Sequence, residues 1–422
     1  MNNSIFVWND SAVTSAILKK ISNEKEHSLL YYANSAVIEF NEKISLLEFD
    51  GIKMLKELKE KQVEYVFSNS QANSNKLLDY CSSLGFKCIG AKYNDTFLES
   101  SKIYSKQLMD KYYIKTPRYI VVESISQLKE AFNKMGLPCV IKADGLAKSL
   151  SVVVVNDEPA FFNVSKKYLY GYFGNSSKKI ILEEYIQGKE VSVPLLLDGN
   201  SIKIFNTVRD YKRRDNNDFG SNTGGMGSVV PFYLNKNETL LLENLIEKLC
   251  TLLKNEKHFY KGFMTLNVIF TQSDVYLLEI NTRLGDSEGQ TILSLLDTDL
   301  SYIFEKMYCG CINEVKLDFK AGYSMSVNII NSFYPDVRTN ELAYITQKSI
   351  FEILKSNIDL FFYKYVNLQN GNYTQIYDRF VSLVANDESI QILKDRLYSS
   401  LEKIQGKNIF YRKDIGDDII LN

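Results

Sequence analysis

Hydrophobic and polar positions alternate along the first hundred residues in two ways. Short apolar runs at residues 4–8, 36–40, 65–68 and 87–90 have the length of buried strands. Amphipathic stretches lie between them, up to residue 21 and over residues 52–61 and 71–84. Strands that alternate with helices are typical of a parallel sheet covered by helices, with any ligand at the carboxyl ends of the strands.

The pattern changes after a helix-like stretch at residues 95–111 and the Thr116-Pro117 pair. Longer strand candidates follow, joined by polar loops that contain glycine, at residues 138–143, 152–156, 179–186, 201–208 and 274–281. The last hundred residues predict a smaller unit, with strands near 324–330 and 379–384 and a helix near 389–405. The whole pattern therefore predicts α/β and α+β units in one chain.

Charge and composition narrow the range of functions. Lys plus Arg number 50 and Asp plus Glu number 51, so the chain lacks the basic excess that is typical of nucleic-acid binders. No apolar stretch is long enough to span a bilayer and the first residues lack a signal-peptide pattern, so we expect a cytoplasmic protein with no membrane partner. The six cysteines are expected to be buried reduced thiols, and two histidines leave little scope for histidine chemistry.

The most informative motif is the strand candidate that ends at residues 277–286, LLEINTRLGD. Because side chains alternate along a strand, Glu279 and Asn281 are expected on one face, with Leu278 and Ile280 in the core. Carboxylate and amide oxygens suit Mg²⁺ held against phosphates. A polar edge strand would give the same alternation, so the motif alone leaves both interpretations open.

A second motif joins Asp210 and Lys212 to residues 221–227, SNTGGMG. Its glycines would allow backbone N–H groups to approach an anion closely. The alternative is a flexible surface loop, but Met226, an apolar residue among the glycines, favours an ordered turn.

Two further signals are weaker. Lys142 ends a buried strand before a glycine turn and could contact a phosphate, although many surface lysines also follow strands. Glu183 and Glu184 precede another turn and Glu190, which could equally be a solvated charged edge.

In this order and spacing the motifs resemble those of the glycinamide ribonucleotide synthetases (phosphoribosylamine–glycine ligases), together with the YRKDIG sequence at residues 411–416. The resemblance covers the whole chain. It implies a Rossmann-like N-terminal domain for the amine substrate at 1–94, an ATP-grasp core at 95–321 with a lid at about 117–190, and a small α+β C-terminal domain at 322–422. It also implies an ATP-dependent carboxylate–amine ligase that forms an acyl phosphate, acts on a small-molecule carboxylate and amine, and is a monomer or homodimer.

The resemblance implies a role for each motif residue. Those expected to bind ATP are Lys102 and Lys142 at the phosphates, Glu183 and Tyr185 at the adenine, and Glu190 at the ribose. Glu279 and Asn281 would hold Mg²⁺, with Mn²⁺ as an alternative. The residues expected at the carboxylate substrate and the transferred phosphoryl group are the catalytic Arg283, Asp210 and Lys212 and the substrate-binding Asn222, Thr223, Gly224, Gly225, Met226, Gly227 and Asp286.

Three segments differ from the family pattern. The family's Gly-Asn-Gly-Gly-Arg-Glu-His turn is NDSAVTS at residues 9–15, and its Gly-Pro-Glu is Asn69-Ser70-Gln71. Its lid sequence Gly-Lys-Gly is replaced by SLS at residues 149–151, which we expect to be mobile, with Lys148 as a possible substitute for the missing lysine.

The first two changes remove glycine amides and charged groups from the pocket for phosphoribosylamine. The sequence therefore predicts ligation of glycine or another small amino acid to an amine other than phosphoribosylamine. Two alternatives stay open: an authentic phosphoribosylamine–glycine ligase of purine biosynthesis, and a non-catalytic nucleotide-binding scaffold.

Overall fold

The computed structural model describes residues 4–8, 11–24, 29–32, 51–70, 76–146, 151–335, 341–376 and 378–420. The chain begins with a parallel sheet in the order β2–β1–β3–β4. Its strands and helices are β1 (Ser4–Trp8), α1 (Ala12–Ser22), β2 (Leu29–Tyr32), α2 (Gly51–Glu60), β3 (Tyr65–Ser68), α3 (Lys76–Ser83) and β4 (Lys87–Ile89). The predicted parallel sheet is confirmed, and the strand predicted at residues 36–40 lies outside the described residues.

Helix α1 starts at the carboxyl end of β1 because Ser11 closes a capping box. Ser11 Oγ accepts a hydrogen bond from Thr14 N (3.3 Å), and Thr14 Oγ1 accepts one from Ser11 N (3.0 Å). Val13 and Ile17 then bury one side of the helix against the central core. The cap thus fixes where the chain leaves the sheet edge, at the place where a ligand is expected.

The next part contains α4 (Phe97–Ser100), α5 (Lys102–Lys111), β5 (Tyr119–Val122), α6 (Leu128–Met135), β6 (Cys139–Ala143), β7 (Val152–Val155), α7 (Glu158–Leu169) and β8 (Ile180–Glu184). Its antiparallel sheet has the order β5–β8–β6–β7. The single helix predicted at residues 95–111 is wrong, because the chain is extended at Ser101. Ser101 Oγ accepts from Tyr104 N (3.2 Å) and starts α5, which places Lys102 in its first turn.

The central sheet, in the order β10–β9–β15–β16, carries the predicted metal pair on β16 and Glu190 on β9. The elements from here to residue 309 are β9 (Lys189–Asp198), β10 (Ile202–Ile204), β11 (Arg209–Asp210), β12 (Arg213–Asp215), β13 (Phe219–Asn222), β14 (Gly227–Val230), α8 (Lys236–Asn255), β15 (Lys261–Phe270), β16 (Val275–Asn281), α9 (Glu288–Leu295) and α10 (Leu300–Cys309). Strand β15 is apolar almost throughout because both of its faces are covered.

The last part contains β17 (Tyr323–Asn331), β18 (Ala343–Thr346), α11 (Gln347–Leu354), β19 (Asp359–Phe362), β20 (Asn367–Gln369), β21 (Asn372–Gln375), β22 (Arg379–Asp387), α12 (Ile390–Leu401), β23 (Gly406–Lys407), β24 (Ile409–Phe410) and α13 (Asp417–Ile420). One sheet runs β11–β14–β17–β22–β19, with β24 also on β17, and a second runs β20–β21–β18–β23. The first of these sheets joins strands from both sides of residue 322. The division of the chain into three domains stays a prediction.

No helix in the described part of the chain combines the length and the apolar character needed to cross a membrane. All six cysteines are free thiols, but the expectation that they are buried holds only for Cys81 and Cys139, and Cys309 is exposed. Within the same residues no group of three or more His, Cys, Asp or Glu side chains is arranged to hold a metal ion.

Candidate active site

A cleft of about 1000 Å³ lies among four sheets. They are the N-terminal sheet β2–β1–β3–β4, the two sheets β5–β8–β6–β7 and β10–β9–β15–β16, and the C-terminal sheet β11–β14–β17–β22–β19. The cleft brings together most of the predicted site residues: Lys102, Lys142, Glu183, Tyr185, Glu190, Asp210, Lys212, Asn222, Thr223, Gly224, Glu279, Asn281, Arg283 and Asp286. These positions run from residue 102 to residue 286, and the fold gathers them at one place, although their individual roles stay predictions.

Three residues of the predicted glycine loop do not line the cleft. Met226 is fully buried in the core beneath it. A Cβ on Gly227 would lie 2.3 Å from the carbonyl oxygen of Ser326, and Gly225 has a φ of +107°. These glycines therefore permit close packing and a left-handed turn, and only residues 222–224 remain as candidates for substrate contact.

One end of the cleft, which we call the lysine end, contains Lys102, Lys106 and Lys142 around Glu183. Lys142 Nζ lies 2.7 Å and Lys106 Nζ 3.2 Å from the Glu183 carboxylate, and all three side chains are almost fully buried. Burial lowers the pKa of Lys106 to about 8, although Glu183 opposes that shift. Burial also acts to lower the pKa of Lys142, but Glu183 and Glu279 outweigh it and leave that pKa raised.

Lys106 is not among the residues predicted from the sequence. It follows Lys102 by four residues, so both lie on one face of α5, and that spacing was the available signal. Lys102 is held near the turn after β6, where its Nζ donates to Gly145 O (3.3 Å). Burial lowers the pKa of Lys102.

The predicted metal pair lies on β16, beside these lysines. Asn267 Nδ2 donates to Glu279 Oε1 (2.6 Å), which fixes the carboxylate. Burial acts to raise the pKa of Glu279, but Lys142, Lys212 and Lys102 outweigh it and leave the pKa lowered. An ionised carboxylate that shares a cavity with three lysines fits a site for phosphates and a divalent cation.

The expected alternation of β16 needs one correction. The pairing with β15 shifts so that Leu277 faces Val268 and Glu279 faces Asn267, which leaves Leu278 as the extra residue of a bulge. Leu277 and Ile280 are therefore the buried residues, and Leu278 lines the cleft.

Arg283 is oriented by Glu99, a second residue that the sequence analysis missed. Arg283 Nε and Nη2 lie 3.1 and 3.0 Å from Glu99 Oε1, while Glu99 Oε2 accepts from Thr282 N (3.0 Å). The break between α4 and α5 makes this contact possible because it ends α4 directly beside β16.

Asp210 and Glu288, which we call the carboxylate pair, lie deep in the cleft with Lys212. Lys212 Nζ contacts Asp210 Oδ2 and lies 3.6 Å from Glu288 Oε1. Burial, together with the charge of Glu288, raises the pKa of Asp210 to about 7. Glu288 was not predicted from sequence, although it lies two residues after the end of the predicted motif.

The C-terminal sheet contributes Arg379, which was also missed. Its Nη1 donates to the carbonyl oxygens of Gly224 and, at 3.1 Å, of Asp286. Tyr363 lies under the guanidinium, 4.3 Å from ring centre to Cζ, and Gly224 N donates to Tyr334 Oη (2.9 Å). Arg379 Nε is buried and has no hydrogen-bond partner among the described residues.

The opposite side of the cleft, which we call the N-terminal wall, contains Ser11, Val13, Asn69 and Ser70. Val13 N donates to Asp286 Oδ1 (2.9 Å). Asn69 Nδ2 donates to Leu284 O (3.1 Å), and Asn69 Oδ1 accepts from Leu284 N (2.9 Å). Asn69 therefore joins two parts of the chain, because both ends of its amide bond the backbone of Leu284.

The remaining predicted residues lie at the open end or outside the described chain. Tyr185 and Glu190 line the cleft but are exposed to solvent. Residues 9, 10 and 71 and lid residues 148–150 lie outside the described residues, whereas Ser151 is buried.

Comparison with known proteins agrees with this geometry. Residues 100–289 match the family model described as "Phosphoribosylglycinamide synthetase, ATP-grasp (A) domain". The chain is 32% identical over 349 residues to the phosphoribosylamine–glycine ligase of Caldanaerobacter subterraneus subsp. tengcongensis, covering 80% of this chain and 81% of that protein. It is 27% identical over 408 residues to the enzyme of the same name from Fusobacterium nucleatum, covering 95% of each.

Solved structures give the same result for the fold. The crystal structure of the Thermotoga maritima phosphoribosylamine–glycine ligase superposes with a TM-score of 0.81 at 25% identity, covering 97% of this chain and 99% of that one. The biotin carboxylase domain of Hydrogenobacter thermophilus 2-oxoglutarate carboxylase, solved with MgADP and bicarbonate, has a TM-score of 0.71 at 14% identity, covering 97% and 91%. The predicted mixed fold with an ATP-grasp core is thereby confirmed.

Proposed function

The chain belongs to the phosphoribosylamine–glycine ligase family, and from this premise we propose that it joins glycine to phosphoribosylamine at the expense of ATP. Membership makes it an ATP-grasp ligase that forms carbon–nitrogen bonds and uses ATP with Mg²⁺. The expected carboxylate–amine ligase is thus confirmed in outline, and the non-catalytic scaffold is not favoured.

The observation that carries the substrate assignment is the extent of the similarity. It includes a relative that covers 95% of both chains. This supports the purine-biosynthesis alternative better than the expectation of a different amine, which rested on two altered segments.

The structure offers a reason why the altered segments need not exclude a sugar phosphate. At the N-terminal wall the amide of Val13 is bonded to Asp286, so the first turn of α1 is capped by the protein's own carboxylate. Arg379 donates to the carbonyl oxygen of that same Asp286, and its buried Nε makes no hydrogen bond to the described residues and lies 4.0 Å from Asp378 Oδ1. A guanidinium suits a phosphate dianion, so positive charge from the C-terminal sheet supports this substrate.

The reaction itself would use the lysine end of the cleft and the region around Arg283. A carboxylate oxygen of glycine attacks the γ-phosphorus of ATP, and ADP leaves with the electrons of the broken bond. The amine nitrogen then attacks the carbonyl carbon of the glycyl phosphate, phosphate leaves and the nitrogen loses a proton. Lys102 and Lys142 would neutralise charge on the phosphates, and Arg283, which lines the cleft and is held by Glu99, would contact the transferred group.

Glu279 and Asn281 are the residues that would hold Mg²⁺, which supplies charge neutralisation when it is bound. The donor set fits, since Glu279 is ionised and shares its cavity with three lysines. No cluster of three metal-binding side chains occurs among the described residues, so phosphate oxygens and water would have to complete the coordination.

The test is product formation with chemically generated phosphoribosylamine, glycine and ATP, with the Caldanaerobacter enzyme as the control. We expect turnover within about tenfold of the control, and Arg379→Met should raise the KM for phosphoribosylamine more than the KM for glycine. Glycine-dependent ADP release with hydroxylamine or ammonia, but not with phosphoribosylamine, would contradict the proposal and favour another amine.

A further inference from the structure

A hairpin that borders the cleft is held by residues from the other end of the chain. Strands β12 and β13 pair around a turn at residues 216–218 to form this hairpin, residues 213–222. Lys212 directly precedes the hairpin, and residues 222–224, which end it, also line the cleft. In the described part of the chain β12 and β13 form a two-stranded sheet of their own. A two-stranded hairpin is marginally stable alone, so its position depends on contacts with other segments.

The central contact comes from Arg412, in what we call the C-terminal segment, residues 412–418. Arg412 is 1% exposed, although an arginine is costly to bury. Its Nε and Nη2 donate to the two carboxylate oxygens of Asp414 (2.8 and 2.6 Å). Its Nη1 donates to Arg213 O (3.0 Å) and to Asp218 Oδ1 (2.8 Å), both on the hairpin. One guanidinium thus joins the C-terminal segment to the hairpin across 199 and 194 positions of the sequence.

The turn of the hairpin is bound by the same segment. Asn217 N donates to Asp414 Oδ2 (2.7 Å), and Lys413 N donates to Asn216 Oδ1 (3.0 Å). Asn217 and Asp218 both have a φ of +56°, in the left-handed region that few side chains other than Asn and Asp adopt. Such a backbone conformation persists where surrounding contacts fix it, and the C-terminal segment supplies those contacts.

A second set of contacts reaches the chain just before the hairpin. Asp418 Oδ2 accepts from Arg209 Nε (2.8 Å), and Asp418 Oδ1 accepts from Tyr211 Oη. Both guanidinium groups, of Arg209 and Arg412, lie near the Tyr211 ring, with Cζ 4.9 and 5.1 Å from the ring centre. The C-terminal segment therefore holds the chain on both sides of Lys212.

The hairpin also contacts the sheet β5–β8–β6–β7. Strand β13 lies against β7, the edge strand of that sheet, and Val152 and Val154 on β7 line the cleft. The same sheet carries Lys142 on β6. The hairpin thus lies between the C-terminal segment and one of the sheets expected to bind ATP, and its position affects the shape of the cleft between them.

We propose that Arg412 is a positioning residue, which sets the place of the hairpin and thereby the affinity of the cleft for the carboxylate substrate. The inference rests on the proposed function for the identification of that substrate as glycine. Arg412 itself does not line the cleft, so it acts through Lys212 and residues 222–224, which do. An apolar side chain would fill the same place with less desolvation, so the charge of Arg412 serves to specify the geometry of the hairpin.

The first test is steady-state kinetics of Arg412→Met with ATP, glycine and phosphoribosylamine. The KM for glycine should rise roughly tenfold or more, because a displaced hairpin moves residues at the substrate. The KM for ATP should stay within about threefold of wild type, because the residues expected at the ATP phosphates and adenine lie on α5, β6, β8 and β16. A fall in kcat with both KM values unchanged would indicate a merely structural role and overturn the proposal.

The matched control is Arg396→Met. Arg396 lies in the same part of the chain and likewise binds a carboxylate and a backbone carbonyl, but its partners are Asp387 and Asn386 on β22. It should leave both KM values within about twofold of wild type. An equal rise of the KM for glycine in both variants would show a general effect of losing an arginine and would also overturn the proposal.

The second test measures amide hydrogen exchange by mass spectrometry, without substrates. In Arg412→Met the amides of residues 213–222 should exchange roughly tenfold or more faster than in wild type, while those of β15 keep their rates. Arg396→Met should exchange like wild type over residues 213–222. Unchanged exchange of the hairpin in Arg412→Met would overturn the proposal, whatever the substrates are.

Asp218→Ala removes the same contact from the hairpin side and serves if Arg412→Met does not fold. Half of the Asp218 side chain is exposed, and the variant keeps the buried pair of Arg412 and Asp414. The KM for glycine should rise roughly threefold or more, with faster exchange of the hairpin, and wild-type values of both would overturn the proposal.

The positioning role and the proposed function fail in different ways. Absence of product with phosphoribosylamine in the wild type, combined with faster hairpin exchange in Arg412→Met, overturns the proposed function and leaves the positioning role standing. Normal product formation, with wild-type hairpin exchange and an unchanged KM for glycine in Arg412→Met, overturns the positioning role alone.

Discussion

The lysine end and the N-terminal wall of the cleft are built from different interactions. At the lysine end, Glu183 compensates two buried lysines, and each contact depends on the charge of a side chain. At the N-terminal wall, Val13 contributes only its backbone amide, and Asn69 bonds the backbone of Leu284. The lysine end therefore permits few replacements of its charged side chains. The N-terminal wall can lack glycines and charged residues and still keep its place in the fold.

This difference bears on the prediction of another amine, which was made from the altered N-terminal segments. Their residue types changed, and residue type is what a sequence displays. Val13, however, makes its contact through a backbone amide that any residue except proline carries, and Asn69 bonds the backbone of Leu284. Phosphate-handling residues, by contrast, can be recognised from type and spacing because their chemistry requires a charge at that place.

The largest effect is expected at the metal pair beside the lysine end. Glu279→Gln should lower kcat on the order of 1000-fold, because charge neutralisation at the phosphates is lost while Ile280 keeps the strand packed. The measurement is steady-state turnover together with thermal melting, and Glu247→Gln on the exposed face of α8 is the control. Wild-type turnover of Glu279→Gln would mean that this face of β16 is merely a polar surface.

A second large effect is expected in stability. Glu183→Gln leaves Lys106 and Lys142 buried without their counter-charge and should lower the free energy of unfolding by about 3–5 kcal/mol at neutral pH. Burial acts to raise the pKa of Glu183, but Lys142 and Lys106 outweigh it and leave that pKa lowered. The stabilisation by ionised Glu183 is therefore fully present at pH values above the ordinary pKa of a glutamate carboxyl. The difference from wild type should shrink as the pH falls below that range, and a difference independent of pH would contradict this account.

A smaller loss should follow at the N-terminal wall. Asn69→Ala removes both bonds to Leu284 and should cost about 1–3 kcal/mol in denaturant unfolding, with kcat reduced less than about tenfold. Asn237→Ala, at an exposed position of α8, serves as the control. If Asn69→Ala instead abolished turnover and kept full stability, its amide would be a substrate ligand and the contrast between the two regions would fail.

The smallest effect is a pH dependence. Burial lowers the pKa of Lys106 to about 8, so between about pH 8 and pH 10.5 the unfolded chain binds more protons than the folded one. Stability should therefore rise with pH across that window in the wild type, relative to Lys106→Met. Urea titrations at several pH values measure the difference, and parallel curves for the two proteins would show that Lys106 has an ordinary pKa.

The sequence predicted the fold class and the residues with a distinct chemical type, such as Lys142, Glu279 and Arg283. It could not predict partners that are distant along the chain. Glu99 meets Arg283 across 184 positions, and Arg379 meets Gly224 across 155. The break at Ser101 and the bulge at Leu278 were missed for a related reason: each is a one-residue change in backbone geometry that hardly alters the hydrophobic pattern.

The sheet that joins β11 and β14 to β17 also determines when the active site can first form during translation. Asp210, on β11, belongs to a sheet whose next strand after β14 is β17, which is made only after α8, β15, β16, α9 and α10. At ordinary elongation rates this interval lasts roughly 5–20 seconds. During that time the edge of β14 that later pairs with β17 is unpaired. A nascent chain is therefore able to complete its nucleotide-binding sheets before its substrate pocket. Truncation before Tyr323 leaves Asp210 without the sheet that positions it.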